Sequence, residues 1–282
     1  MGSRFRGTLL IILAALMWGT VGVATRFAGN VDAMTISFYR CILASVVLLP
    51  MIILSGKTKG IMPRGKFRYF ILFGITLALF VSLFMASIQM SSIANALLLF
   101  YTAPIFATVF SSIFLKEKIR KQSILSLILC MAGIAFISGS GFVMNAILGT
   151  IFGLLAGIFY GSNITIGRYL KGHSGLLTAF WENVVAFLLL LPFASVFSVQ
   201  ASELPALVYL GVVASAIAPF LFLEGLRNVK TQDAGITMML DPLTNIVWAF
   251  LIFSEIPNLL TFMGGTLILA AVVFQNLMSK KN

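Results

Sequence analysis

Ten apolar runs alternate along the chain with short polar connections. They cover about residues 8–28, 33–54, 67–88, 93–115, 122–140, 147–168, 175–197, 204–226, 234–253 and 259–278. Roughly 20 consecutive apolar residues in a helix cross the hydrocarbon of a bilayer. The pattern therefore predicts an all-α integral membrane protein with ten transmembrane helices. Pro50, Pro192 and Gly141 mark span ends. The first run follows Arg4 and Arg6, as the apolar core of a secretory signal would. It is longer than such a core and matches the sixth run position by position, so it reads as a span.

Composition agrees. Hydrophobic residues make up 60% of the chain and charged residues 10%, against about 45–50% and about 25% in soluble domains. The excess must face lipid, and 282 residues leave little for a soluble domain. The formal net charge is +11, which in a soluble protein would raise nucleic acid as a partner. Placement explains it better. Lys and Arg stay on the cytoplasmic side during insertion. With the N-terminus inside, 17 of the 19 Lys and Arg fall in inner connections or tails, including Lys57, Lys59, Arg64 and Lys281. Arg26 lies in an outer connection and Arg40 within the second span. Losing or adding one span would scramble this bias, so both termini are expected in the cytoplasm of a multi-pass inner (plasma) membrane protein.

The chain also repeats itself. At an offset of 142, Trp18-Gly19-Thr20 falls on Tyr160-Gly161-Ser162, Arg26 on Arg168, Phe38-Tyr39 on Phe180-Trp181 and Pro50 on Pro192. At an offset of 138, Ala96 falls on Ala234, Pro104 on Pro242 and Glu117 on Glu255. Two units are expected, residues 1–140 and 141–282, each with five spans. Five is odd, so the second unit enters the membrane inverted. Inverted repeats are a common plan of secondary transporters, which alternate between inward- and outward-open forms.

These residues resemble tandem EamA domains of the drug/metabolite transporter superfamily. The resemblance is carried by Trp18-Gly19, Phe38-Tyr39-Arg40, Ala103-Pro104 and Leu115-Lys116-Glu117. In the second half it is carried by Asp241-Pro242, Ser254-Glu255 and Gly264-Gly265. The family often has Glu at the place of Asp241, and usually Gly where this chain has Lys116 and Ser254. The resemblance spans essentially the whole chain. It implies a ten-helix, basket-like transporter with a central cavity, often one that exports amino acids or related metabolites.

Ionisable groups at membrane depth are costly and usually face a cavity or one another. Arg40, Glu182, Glu224 and Asp241 are the candidates. Asp241 precedes Pro242, which removes a backbone donor and bends or opens a helix. Freed carbonyls with a carboxylate suit a cation, a proton or a substrate amine; a structural carboxylate is the alternative. Glu182, beside Trp181 and Asn183, suits proton coupling, or else pairs with Arg168 or Lys171. Glu224 reads as snorkelling toward Arg227 and Lys230. Arg40 either holds a substrate carboxylate or tethers outer-side carbonyls. Trp18, Tyr101, Tyr160, Trp181 and Trp248 are expected along the cavity, with Thr20 and Asn163 as hydrogen-bonding groups.

Small residues recur every fourth position at Gly149, Gly153, Gly157 and Gly161, and again at Gly74, Ala78, Ser82 and Ala86. Such stripes mark close helix packing. Other chemistry is sparse. No His/Cys cluster suits a metal, Cys41 and Cys130 lie within spans, and no Walker loop appears. No catalytic residues, cofactor or metal are expected, and an intramembrane enzyme is the weaker reading. The expected partners are a small-molecule substrate, the lipid bilayer and a coupling proton or ion, but no nucleic acid; a homodimer stays open.

Overall fold

The computed structural model describes residues 3–29, 31–56, 66–90, 96, 99–138, 147–195, 198–254 and 259–280. Gly141, Glu255, Lys57, Lys59, Arg64 and Lys281 lie outside them. The described residues form helices and connections, with no strand. Helices α1 (Ser3–Trp18), α2 (Val21–Phe27), α3 (Ala33–Leu54), α4 (Phe67–Met90), α5 (Ala103–Leu115) and α6 (Lys121–Ser138) come from the first half. The second half gives α7 (Ile147–Tyr169), α8 (Gly175–Leu190), α9 (Leu204–Tyr209), a π-helical segment (Leu210–Ile217) and α10 (Ala218–Leu226). It ends with α11 (Thr231–Met238), α12 (Asp241–Phe253) and α13 (Leu259–Lys280). Among the described residues seven stretches are long and apolar enough to cross a membrane, and Ala103–Leu115, Lys121–Phe136 and Phe262–Met278 are shorter apolar helices.

The outside of the bundle is apolar. Val46, Ile113, Phe114, Phe193, Leu251 and Phe262 are each at least 60% exposed. Polar side chains turn inward instead: Thr76, Asn163, Glu182, Asn183, Asp233 and Gln275 are all buried. This inside-out distribution fits a bilayer, where lipid covers the apolar surface.

Packing runs mainly across the two halves. α4 lies on α7 and α8, α3 on α8 and the π segment, α1 on α10, and α6 on α13. The glycine stripe of α7 seats this helix against the chain around the start of α5. A Cβ at Gly157 would lie 2.8 Å from the Leu99 carbonyl oxygen, and one at Gly161 2.7 Å from that of Ala103. Between α6 and α13, a Cβ at Gly133 would lie 2.7 Å from the Gly264 carbonyl oxygen.

Repeat-equivalent residues take equivalent roles. Asp32 caps α3 by accepting from Thr35 N, and Ser174 caps α8 by accepting from Leu177 N. Pro104 and Pro242 each follow a two-residue turn, at Tyr101-Thr102 and Met239-Leu240, so both spans break where the sequence places Pro. Lys116 and Ser254 end α5 and α12 with φ of 56° and 55°. That left-handed geometry favours glycine, which explains the Gly usual in the resembled family. The halves also differ. The first span breaks at Gly19-Thr20, whereas its image at Gly161-Ser162 runs unbroken through α7.

Candidate functional site

The breaks before α5 and α12 meet. Tyr101 Oη donates to Asp241 Oδ2 at 3.3 Å. Tyr160 Oη donates to Met238 Sδ at 3.3 Å, and its ring stacks on Phe100 at 5.0 Å with 7° between planes. Phe80 closes on both rings, 4.6 Å from Tyr160 and 6.0 Å from Phe100. Asp241 thus stands at the start of a helix, beside an aromatic cluster. Its own carbonyl accepts from Thr244 Oγ1 at 2.9 Å. The break also offers Asp241 the electropositive start of α12. Pro242 suits a helix start, because the N–H it lacks has no intrahelical partner there.

One helical turn along α7 from Tyr160, Asn163 builds a second cluster. Its Nδ2 donates to Glu182 Oε1 at 2.9 Å, to Thr76 Oγ1 at 3.1 Å and to the Phe73 carbonyl at 3.1 Å. Glu182 is 5% exposed. Its partner is therefore Asn163, not Arg168 or Lys171. Arg168 pairs instead with Glu117, at 3.0 Å.

The third cluster has a backbone origin. Pro219 brings no N–H, so the Ser215 carbonyl loses its α-helical donor and the Ala214 carbonyl its π-helical one. Side chains replace both: Asn183 Nδ2 donates to Ser215 O at 3.1 Å and Trp18 Nε1 to Ala214 O at 2.9 Å. Arg40 Nε donates to Ser215 Oγ at 3.1 Å, so its tether is a hydroxyl rather than a carbonyl. The three clusters form one belt. Tyr160 and Asn163 of α7 join the first to the second, and Glu182 and Asn183 of α8 join the second to the third.

Two expected residues stand apart from this belt. Thr20 Oγ1 donates to Met17 O and accepts from Tyr209 Oη at 2.9 Å. Trp248 is 39% exposed among the exposed Val247, Phe250 and Leu251 of α12; the structure brings it to none of the three clusters. Glu224 bonds Arg227 at 2.9 Å, as a snorkelling side chain would, and also accepts from Gly175 N at 2.6 Å.

Asp233 went unnoticed in the sequence because it falls one residue before the predicted ninth span. It is 2% exposed and accepts from Arg120 Nη2 at 2.8 Å, Arg4 Nη2 at 3.0 Å and Gln275 Nε2 at 2.5 Å. Next to it, Glu117 takes Arg168 Nε and the Thr231 N–H, each at 3.0 Å, while Arg168 Nη1 donates to the Leu226 carbonyl. This knot ties α1, α7, α10, α11 and α13 to the connection between α5 and α6. Nearby, His173 lies edge-on to Phe70 at 5.1 Å. Partial burial and the Lys66 ammonium hold its imidazole below the usual histidine range. Among the described residues no cluster of His, Cys, Asp or Glu suits a metal.

An apolar helical bundle with an internal polar belt defines a multi-pass membrane protein. The comparisons with known proteins agree and are narrower. The chain belongs to the EamA-like transporter family, whose profile matches residues 5–139 and again 147–277. It is 28% identical over 270 residues to an uncharacterized transporter of Archaeoglobus fulgidus, covering 95% of each chain. It is 25% identical over 276 residues to the pseudopaline exporter CntI of Pseudomonas aeruginosa, covering 95% of this chain and 94% of that one. It is 24% identical to an uncharacterized inner membrane transporter, YicL, of Salmonella typhimurium, covering 100% of this chain and 98% of that one. A solved structure, 17% identical, shares the fold with a TM-score of 0.87 over 99% of this chain and 100% of its own.

Proposed function

We propose that this protein is a secondary carrier of the inner membrane. It moves small organic metabolites, amino acids or related compounds, out of the cell by alternating access. Its ten spans form two inverted units, residues 1–140 and 141–282, with both termini cytoplasmic. The observation that carries this reading is the Tyr101–Asp241 contact at 3.3 Å. It joins repeat-equivalent helix breaks, one from each half, where rocking of the halves would open and close a site. The Asp233 and Glu117 knot supports a form closed on the cytoplasmic side.

In this reading the substrate lies against Tyr101, Tyr160 and the aromatic rings beside them, with its amino group at Asp241. Arg40 and Asn163 bound the site on either side, and Trp18 forms part of its wall. Glu182 and Asp241 carry the coupling proton, since a carboxylate at membrane depth is otherwise costly to retain. The ring cluster Phe80, Phe100 and Tyr160 also favours a second reading with the same fold, a permease for apolar or drug-like cargo.

The test is counterflow in proteoliposomes loaded with unlabelled amino acids and offered labelled ones, with Asp241→Asn alongside. Saturable self-exchange lost in the variant supports the carrier reading. Non-saturable flux overturns the carrier reading, and full exchange with Asp241→Asn overturns the role of Asp241. Exchange that ignores pH and survives in both Glu182→Gln and Asp241→Asn overturns proton coupling.

A further inference from the structure

Beside the Glu117–Arg168 pair the cytoplasmic end holds a second feature, which the transport reading does not use. It is a cavity of about 670 Å³ between the end of α5, the end of α7 and the connection before α11. Lys116, Lys118, Lys171 and Lys230 line it together with that ion pair. Arg168 already neutralises Glu117 at 3.0 Å. Among the described residues the four lysine ammonium groups have no carboxylate partner within ion-pair distance. The cavity therefore carries four uncompensated positive charges. Its wall is continuous with apolar surface: Phe114 lines it and is 73% exposed, and Ile113 beside it is 63% exposed.

We propose that this cavity binds a phosphate group, and that the phosphate is the headgroup of an anionic membrane lipid. Four lysines lining one concavity suit a compact anion and repel cations. Lysine serves such a ligand as a point charge without requiring a fixed fork. The exposed Phe114 and Ile113 give the attached acyl chains an apolar surface at the cavity edge, which a free phosphate would not need. Basic pockets at the cytoplasmic ends of helices are a general means of holding anionic headgroups. The left-handed turn at Lys116 places this lysine, Glu117 and Lys118 together at the cavity rather than along the axis of α5. A bound headgroup would lie beside the Glu117–Arg168 pair. This inference does not depend on what the protein transports.

The test is lipid retention. Purified protein in detergent is equilibrated with equal phosphatidylglycerol and phosphatidylcholine, and bound lipid is counted by native mass spectrometry. The wild type is expected to retain phosphatidylglycerol preferentially. Lys171→Gln with Lys230→Gln should weaken it at least roughly tenfold, given the attraction each Lys near a membrane surface supplies. Arg6→Gln with Lys121→Gln removes the same charge from exposed positions outside the cavity and should leave retention unchanged. Equal retention of the two lipids, or equal weakening by both double variants, overturns the site. Displacement of phosphatidylglycerol by millimolar inorganic phosphate, with no chain-length dependence among lipids, overturns the lipid assignment in favour of a soluble phosphate.

Discussion

Replacing Asp233 with Asn removes the charge at the centre of the knot it forms with Arg120, Arg4 and Gln275 while preserving its size. Asp233 is 2% exposed, and the Arg120 side chain 2.8 Å away is 13% exposed. Arg4 reaches the same oxygen at 3.0 Å but is 35% exposed, so water screens that arm and it adds little. Breaking a buried ion pair by removing one partner costs about 3–5 kcal/mol, because the other charge is left uncompensated. Arg120 keeps some contact with water, so the expected loss lies at the low end, about 3 kcal/mol. The assay is reversible unfolding in mixed micelles titrated with SDS, arranged as double-mutant cycles with Arg120→Gln and Arg4→Gln. The Asp233–Arg120 coupling should reach about 2 kcal/mol and the Asp233–Arg4 coupling should stay within about 0.5 kcal/mol. An Asp233–Arg120 coupling below about 0.5 kcal/mol would refute the reasoning, since a buried pair would then behave like an exposed one.

Two further outcomes follow from backbone geometry. Lys116→Gly and Ser254→Gly, at φ of 56° and 55°, should each stabilise by about 0.5–1 kcal/mol in the same titration, because a side chain is strained there. Lys116→Ala should give no gain, and a gain equal to that of glycine would count against strain. Gly157→Ala would set a Cβ 2.6 Å from Thr102 Oγ1 and 2.8 Å from the Leu99 carbonyl oxygen. Pushing α7 off the turn before α5 should cost about 1–3 kcal/mol. Gly172→Ala, with nothing within 4 Å, should stay within about 0.5 kcal/mol, and equal effects at the two sites would contradict the packing described.

Hydropathy located the helices well. The second run, about 33–54, is α3 (Ala33–Leu54), and the run at about 147–168 is α7 (Ile147–Tyr169). Long apolar stretches have one low-energy conformation in lipid, so composition decides them. The break at Gly19-Thr20 was not legible. No proline marks it, and it reflects tertiary packing: a Cβ on Gly19 would lie 1.7 Å from Thr244 Oγ1. Asp241, Glu182, Arg40 and Asn163 were legible as polar residues at depth, but their partners were not. The Glu182–Asn163 bond joins neighbouring helices, and the Arg40–Ser215 bond spans 175 positions. The consequence of Pro219 was readable in principle. A proline inside an apolar run deprives a carbonyl of its donor, and two side chains answer it here. Asp233 was missed because a span boundary drawn by hydropathy stops where a charge appears, even a buried one.

Duplication gives both ends of such a protein the same starting parts, so the knot around Asp233 is also a record of divergence. The repeat offset that carries Glu117 to Glu255 carries Arg120 to Asn258, and Asp233 back to Asn95. In sequence, therefore, the Arg120–Asp233 pair has amides as its repeat equivalents, whereas Glu117 and Arg168 correspond to Glu255 and Arg26. Ions lose more hydration than amides on burial, so heat and salt act more strongly on a charged pair than on an amide pair. In a carrier of the proposed kind, a charged pair that one repeat carries and the other lacks biases the balance between the two forms without any change in the site that recognises the cargo.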